Sequence, residues 1–65
     1  MVMVGFHSKE KADRLAELGF NYVVNKYHDN QNDYLFILTD DIIDRLDKLF
    51  ETHDYYLTNN NRLLF

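Results

Sequence analysis

Apolar and polar positions along the chain follow two different periods. Met1-Val2-Met3-Val4-Gly5-Phe6 and Tyr34-Leu35-Phe36-Ile37-Leu38 are near-continuous apolar runs, the mark of strands that are central or covered on both sides. Each run leads to a hydroxyl residue, Ser8 or Thr39, and then to a segment with the 3.6-residue period of an amphipathic helix. In the first segment Ala12, Leu15, Ala16 and Gly19 share a face, predicting a helix over 8–18. In the second, Ile42, Ile43, Leu46, Leu49 and Phe50 form a stronger stripe, predicting a helix over 40–52. Ser8 suits the first N-cap, and Thr39 or Asp40 the second, because a short oxygen side chain accepts from the free amides of a first turn. Asp40 and Asp41 add carboxylates where the helix dipole favours them. Leu18-Gly19-Phe20 is a stop signal: glycine takes the left-handed position, and the next apolar residue folds back on the last turn.

The two halves echo each other. Ala12-Asp13-Arg14-Leu15-Ala16-Glu17-Leu18 is matched by Ile43-Asp44-Arg45-Leu46-Asp47-Lys48-Leu49 at an offset of 31 residues, which also aligns Ser8 with Thr39, Phe6 with Ile37 and Val4 with Leu35. Between the units, residues 20–28 carry strand formers (Tyr22, Val23, Val24, Tyr27) interspersed with Asn21, Asn25 and Lys26. That mixture predicts an edge strand. Asp29-Asn30-Gln31-Asn32-Asp33 has turn composition, so 20–28 and 33–39 read as a hairpin. Tyr55 to Thr58 reads as a strand, Asn59-Asn60-Asn61 as a turn or bulge, and Leu63-Leu64-Phe65 as packed or strand-paired. The order β-α-β-β-α-β over one domain, 1–65, resembles the ferredoxin-like plait, an α+β fold with a four-stranded antiparallel sheet and two helices on one face. In that fold Leu15, Leu46, Leu49 and Phe50 are expected to pack on Val2, Val4 and alternate residues of 34–38. Val4-Gly5-Phe6, Ala12, Leu15 and Gly19 also resemble the opening of peptidoglycan-binding SPOR domains, which share this element order. That likeness covers the first third of the chain, the second half lacks the returning glycine–phenylalanine motif, and no function is carried over from it.

Sixty-five residues bury only about 60% of their unfolded surface, so the core is marginal. With no cysteine, neither a disulfide nor a thiolate metal site can reinforce it. No apolar run approaches the ~18 residues of a membrane span, and the N-terminus lacks a basic leader region. The expectation is a cytoplasmic protein. The net charge of -4 is unevenly placed: residues 29–54 hold eight of the eleven acids and two of the seven bases. An acidic middle disfavours nucleic acid and anionic membrane, both polyanions. Frequent Asn, Asp, Tyr, Ile and Phe without Pro, Trp or Cys is what AT-rich coding produces, suggesting a phage or mobile element of a low-GC bacterium.

The chemistry-bearing residues are few. His7, His28 and His53 have no chelating spacing and no cysteine beside them, so no metal is expected. A Ser8–His–Asp triad can be composed on paper, but Ser8 suits an N-cap better and glycine-rich phosphate loops are absent. Neither catalysis nor a cofactor is expected. Tyr22, Tyr27, Tyr34, Phe36, Tyr55 and Tyr56 fall in strands, where outward-facing aromatics would stack nucleobases on an open sheet, though the flanking lysines and arginines that such a surface needs are sparse. The most specific feature is acidic: Asp40, Asp44, Asp47 and Glu51, spaced 4, 3 and 4 apart, line one side of the second helix. Asp54 extends the field, and Tyr55 and Tyr56 adjoin it. Asp41–Arg45 and Asp44–Lys48 partly neutralise it. The preferred expectation is a small non-enzymatic protein-binding module whose acidic helix face meets a basic protein partner. The alternatives are a nucleic-acid-binding domain using the sheet aromatics and a dimeric small-ligand regulatory domain; an apolar strand edge or open face would suit a homodimer.

Overall fold

A computed structural model of the chain describes residues 1–26 and 31–59. The elements are β1 (Val2–Phe6), α1 (Lys9–Ala16), β2 (Val23–Lys26), β3 (Asn32–Ile37), α2 (Asp40–Leu49), a short 3-10 helix (Thr52–Asp54) and β4 (Tyr56–Asn59). The strands form one antiparallel sheet in the order β2-β3-β1-β4. This is the ferredoxin-like plait, with the two apolar runs as its central strands and the half-polar segment at an edge. The expected features of 27–30 and 60–65, including Tyr27, His28 and Leu63-Leu64-Phe65, lie outside the described residues.

Both helices start as their caps dictate. Ser8 Oγ accepts from the Lys11 amide at 3.4 Å and Thr39 Oγ1 from the Ile42 amide at 3.3 Å. Helix α1 ends earlier than its stripe suggested: the Leu18 and Gly19 amides reach back three residues, to Leu15 and Ala16. This tightened last turn leaves Gly19 at φ 103°, where a Cβ would be strained.

One face of the sheet carries the core. Val4 and Phe6 of β1 lie beside Phe36 and Tyr34 of β3, and all four pack with Ala12, Leu15, Ile42, Leu46 and Phe50 from the helices. Phe6 meets Phe36 edge-on at 5.7 Å and Phe50 at 5.0 Å, geometries that suit ring quadrupoles. Leu49 and Val2 correct the expected core. Leu49 is 38% exposed on the flank of α2, and Val2 is exposed at the sheet's end beyond the helices.

The echo at 31 residues holds for the caps and for one core position of each helix but fails for the strands. Leu15 and Leu46 are both buried. The helix-facing residues Val4 and Phe6 correspond, however, to Tyr34 and Phe36, while Leu35 and Ile37 point to the other face by register. A one-residue shift reverses every side chain of a strand. The second unit therefore has one more residue between strand and cap than the first. In α2 the buried position is Ile42, and Ile43, the echo of buried Ala12, is exposed.

Candidate functional site

The acids of this protein divide into those the fold uses and those it leaves in solvent. Asp13 is used: it accepts from Lys9 Nζ and from the Tyr22 hydroxyl, each at 2.8 Å. These contacts tie α1 to the chain entering β2. The Lys9 ammonium, then the Tyr22 hydroxyl, hold the Asp13 carboxyl below its ordinary value; the carboxylate in turn raises both Lys9 and Tyr22.

Asp54 is also used. Lys11 Nζ lies 2.5 Å from its Oδ1, and the Glu51 amide donates to its Oδ2 at 2.9 Å. Lys11, then the Glu51 amide, lower its carboxyl. Its side chain is largely covered, so Asp54 joins α1 to the 3-10 helix rather than extending an open acidic field. Glu51 is exposed but off α2. That helix stops at Leu49 because Phe50, in extended backbone, swings its ring onto Phe6, under the Arg14 guanidinium 6.0 Å away. Only the first three members of the expected stripe stand on the helix.

Those three, Asp40, Asp44 and Asp47, are exposed, as is Asp41. Asp44 pairs with Lys48 at 3.0 Å across one turn. Asp40 and Asp47 carry no ion pair among the described residues. Ile43 lies three and four residues from Asp40 and Asp47, so it shares their side of the helix, and it is 46% exposed. Ile43 is thus an apolar spot flanked by two carboxylates.

The two tyrosines of the expected site part company. Tyr55 turns to the core, its ring 6.2 Å from Phe6. Tyr56 lies on the open face of the sheet, across Gly5, its partner in β1. A Cβ at Gly5 would collide with the ring, so glycine is what permits the crossing. The Tyr56 hydroxyl donates to Asp33 Oδ2, and the ring stacks on His7 at 5.0 Å and 27°. His7 Nδ1 lies 2.7 Å from Asp33 Oδ1. Asp33 is 5% exposed: a buried carboxylate spanned by an imidazole from the end of β1 and a phenol from β4. The sequence reading missed this cluster, giving Asp33 to the end of the 29–33 turn and the start of the 33–39 strand without a partner. Its one sequence signal is Gly5 inside an apolar strand, which marks a close approach.

The remaining strand aromatics are not a stacking platform. Tyr22, Tyr34 and Phe36 contact one another edge-on on the helix side. Tyr56 is the one strand aromatic on the open face among the described residues, and its ring and hydroxyl are both engaged. Ser8 is a cap, and His53 sits at the 3-10 helix near Glu51 and Asp54. Among the described residues no cluster of three or more His, Cys, Asp or Glu is placed to hold a metal ion, and no helix is long and apolar enough to cross a membrane. No family model, curated protein or solved structure matches the chain.

Proposed function

We propose that this chain is a small, non-enzymatic protein-binding module that works by occupying a basic partner protein with the outer face of α2. One observation carries the reading. Asp13, Asp33 and Asp54 are each consumed by contacts that join elements, whereas Asp40 and Asp47 stand exposed beside exposed Ile43 and do nothing for the packing. Exposed like charges at i,i+4 cost a helix a few tenths of a kcal/mol per pair. A surface whose carboxylates make no contact between elements is where a partner's requirements can be met. Lysine and arginine steer onto such a face, and an apolar side chain seated on Ile43 supplies the desolvated centre that a polar rim surrounds. A cytoplasmic setting and origin in a phage or mobile element go with this reading through size and composition.

The open sheet face supports nucleic acid poorly, since the one tyrosine that the described strands put there is engaged and by strand register no lysine or arginine of those strands points to it. The test is capture from the native host with tagged wild type and tagged Asp44→Asn/Asp47→Asn, read by mass spectrometry. The reading expects a basic protein held by wild type and depleted at least about fivefold with the variant, roughly 1 kcal/mol. Equal recovery on both baits would reject it.

A further inference from the structure

We propose that the open face of the sheet, opposite the helices, is a self-association surface on which a second copy of this chain stacks. The helices cover one face only, and the register puts Met3, Leu35, Ile37 and Val23 on the other. Together with Met1 and the Asn21–Tyr22 segment these line an apolar groove of about 470 Å³. Three of its residues are large and open to solvent, Met1 at 50%, Val23 at 57% and Ile37 at 54%. The other exposed apolar residues stand on the helices, the strand edges or the sheet's margin; these three converge on one groove.

Charge selects the occupant. Among the described residues the register leaves one carboxylate on this face, Asp33, and it is already held by His7 and Tyr56. No lysine or arginine of the described strands points there. The Met1 ammonium at the end of the groove donates to Asn59 Oδ1, so the described part of this face holds one charge of each sign and no cluster of either for a charged partner. A second copy presents the same near-neutral face, and stacking the two sheets about 10 Å apart keeps the acidic α2 helices on opposite outer sides. The net charge of -4 on each copy therefore opposes association least in this arrangement. The contact is isologous, each copy offering the same patch.

Area sets the strength. Four strands at ~4.8 Å spacing and five residues at ~3.3 Å give a flat footprint of roughly 300 Å². Stable specific dimers bury about 800 Å² of accessible surface per partner. A ridged face exposes more than its flat footprint, yet this one stays at the small end, so the dimer is weak and exchanges rapidly, with dissociation in the micromolar range or above.

Sedimentation velocity from about 10 μM to 1 mM tests this with the full chain. The expected result is a reversible monomer–dimer equilibrium that Ile37→Lys weakens at least about tenfold, as an unpaired charge in an apolar contact requires, while Ile43→Lys on α2 leaves it unchanged. Ile37 and Val23 are exposed, so the melting temperatures should stay within a few degrees. Should Ile37→Lys fail to fold, Val23→Lys gives the same reading from the edge strand. Wild type that is monomeric at 1 mM overturns the proposal and leaves the groove to residues 60–65 or to water. A dimer that survives both lysine variants, or that Ile43→Lys disrupts, also overturns it. The equilibrium is independent of the α2 reading, because the two surfaces lie on opposite layers and are altered separately.

Discussion

Asp33 shows most directly how single residues are held in this protein. It sits in a central strand, points away from the helices and is almost wholly covered. A buried carboxylate is tolerated only when its oxygens are satisfied. Here the satisfaction comes from two other strands, with His7 at the end of β1 and Tyr56 on β4. Tyr56→Phe keeps the ring on Gly5 and His7 but removes one donor. The expected cost is about 1–3 kcal/mol, or a fall of at least ~4 °C in melting temperature for a chain this small. An unchanged melt would mean that the hydroxyl contact contributes nothing. Asp54 makes a pH prediction. Lys11 and the Glu51 amide depress its carboxyl below the ordinary value of 3.8. The unfolded chain therefore binds that proton more readily than the folded one. The contribution is complete above the ordinary value and is lost as pH falls through the depressed one. Asp13, depressed by Lys9 and Tyr22, loses its share in the same window. Urea melts of Asp54→Asn should show a shallower loss of stability below about pH 4 than wild type, with a remainder due to Asp13. Parallel curves would contradict the Lys11 contact. Little of this was legible in the sequence. A pair such as Lys11–Asp54 spans both units, and no local spacing announces it. Asp33 follows four other turn-forming residues, so composition argued for a turn up to that residue; the ladder with β2, where Asp33 pairs with Asn25, places it within β3.

At the scale of elements, the sequence was most legible where local chemistry decides. The Ser8 and Thr39 hydroxyls cap as expected, Gly19 takes the positive φ that its missing Cβ allows, and α1 and α2 begin at Lys9 and Asp40. The strand assignments survive because continuous apolar runs have no other place than the middle of a sheet. Helix ends were less legible, because tertiary contacts set them. Phe50 leaves the helix for the ring of Phe6, and the Asp54 carboxylate takes the Glu51 amide, a local alternative to another helical turn. Strand facing was hidden by the echo itself. An offset of 31 carried from helix to strand puts Leu35 where Val4 is, and the sheet places it on the other side. The element-scale prediction contrasts two leucines of α2. Leu46→Ala removes a side chain buried between helix and sheet and should cost about 2–5 kcal/mol, comparable to the whole stability of so small a domain. Leu49→Ala, on the exposed flank, should cost less than about 1 kcal/mol. Chemical denaturation of the pair checks this: similar losses would show that Leu49 belongs to the core after all.

Over the whole molecule, charge and apolar surface are segregated by layer. Four exposed acids, Asp40, Asp41, Asp44 and Asp47, stand on α2, and Glu10 and Glu17 are exposed at the two ends of α1, while the opposite sheet face is nearly neutral and partly apolar among the described residues. Part of this was legible, since the uneven placement of acids is a property of the linear chain. Which acids remain open was not: Asp54 is drawn into the fold by Lys11, and Glu51 is displaced by the end of α2. The central claim is that Asp44 and Asp47 serve a partner rather than the structure. Its most direct measurement is the association rate of the captured basic partner with wild type and with Asp44→Asn/Asp47→Asn, over roughly 50–300 mM salt, where the screening length falls from about 14 Å to about 6 Å. Exposed charges at the rim of a contact act mainly on encounter. The variant is expected to melt within a few degrees of wild type, because loss of the Asp44–Lys48 pair and relief of the Asp40–Asp44 repulsion are each a few tenths of a kcal/mol and opposite in sign; it should associate several-fold more slowly at low salt and show a flatter salt dependence. An association rate equal to wild type at every salt concentration would contradict the account and reduce the acidic face of α2 to a solvated surface.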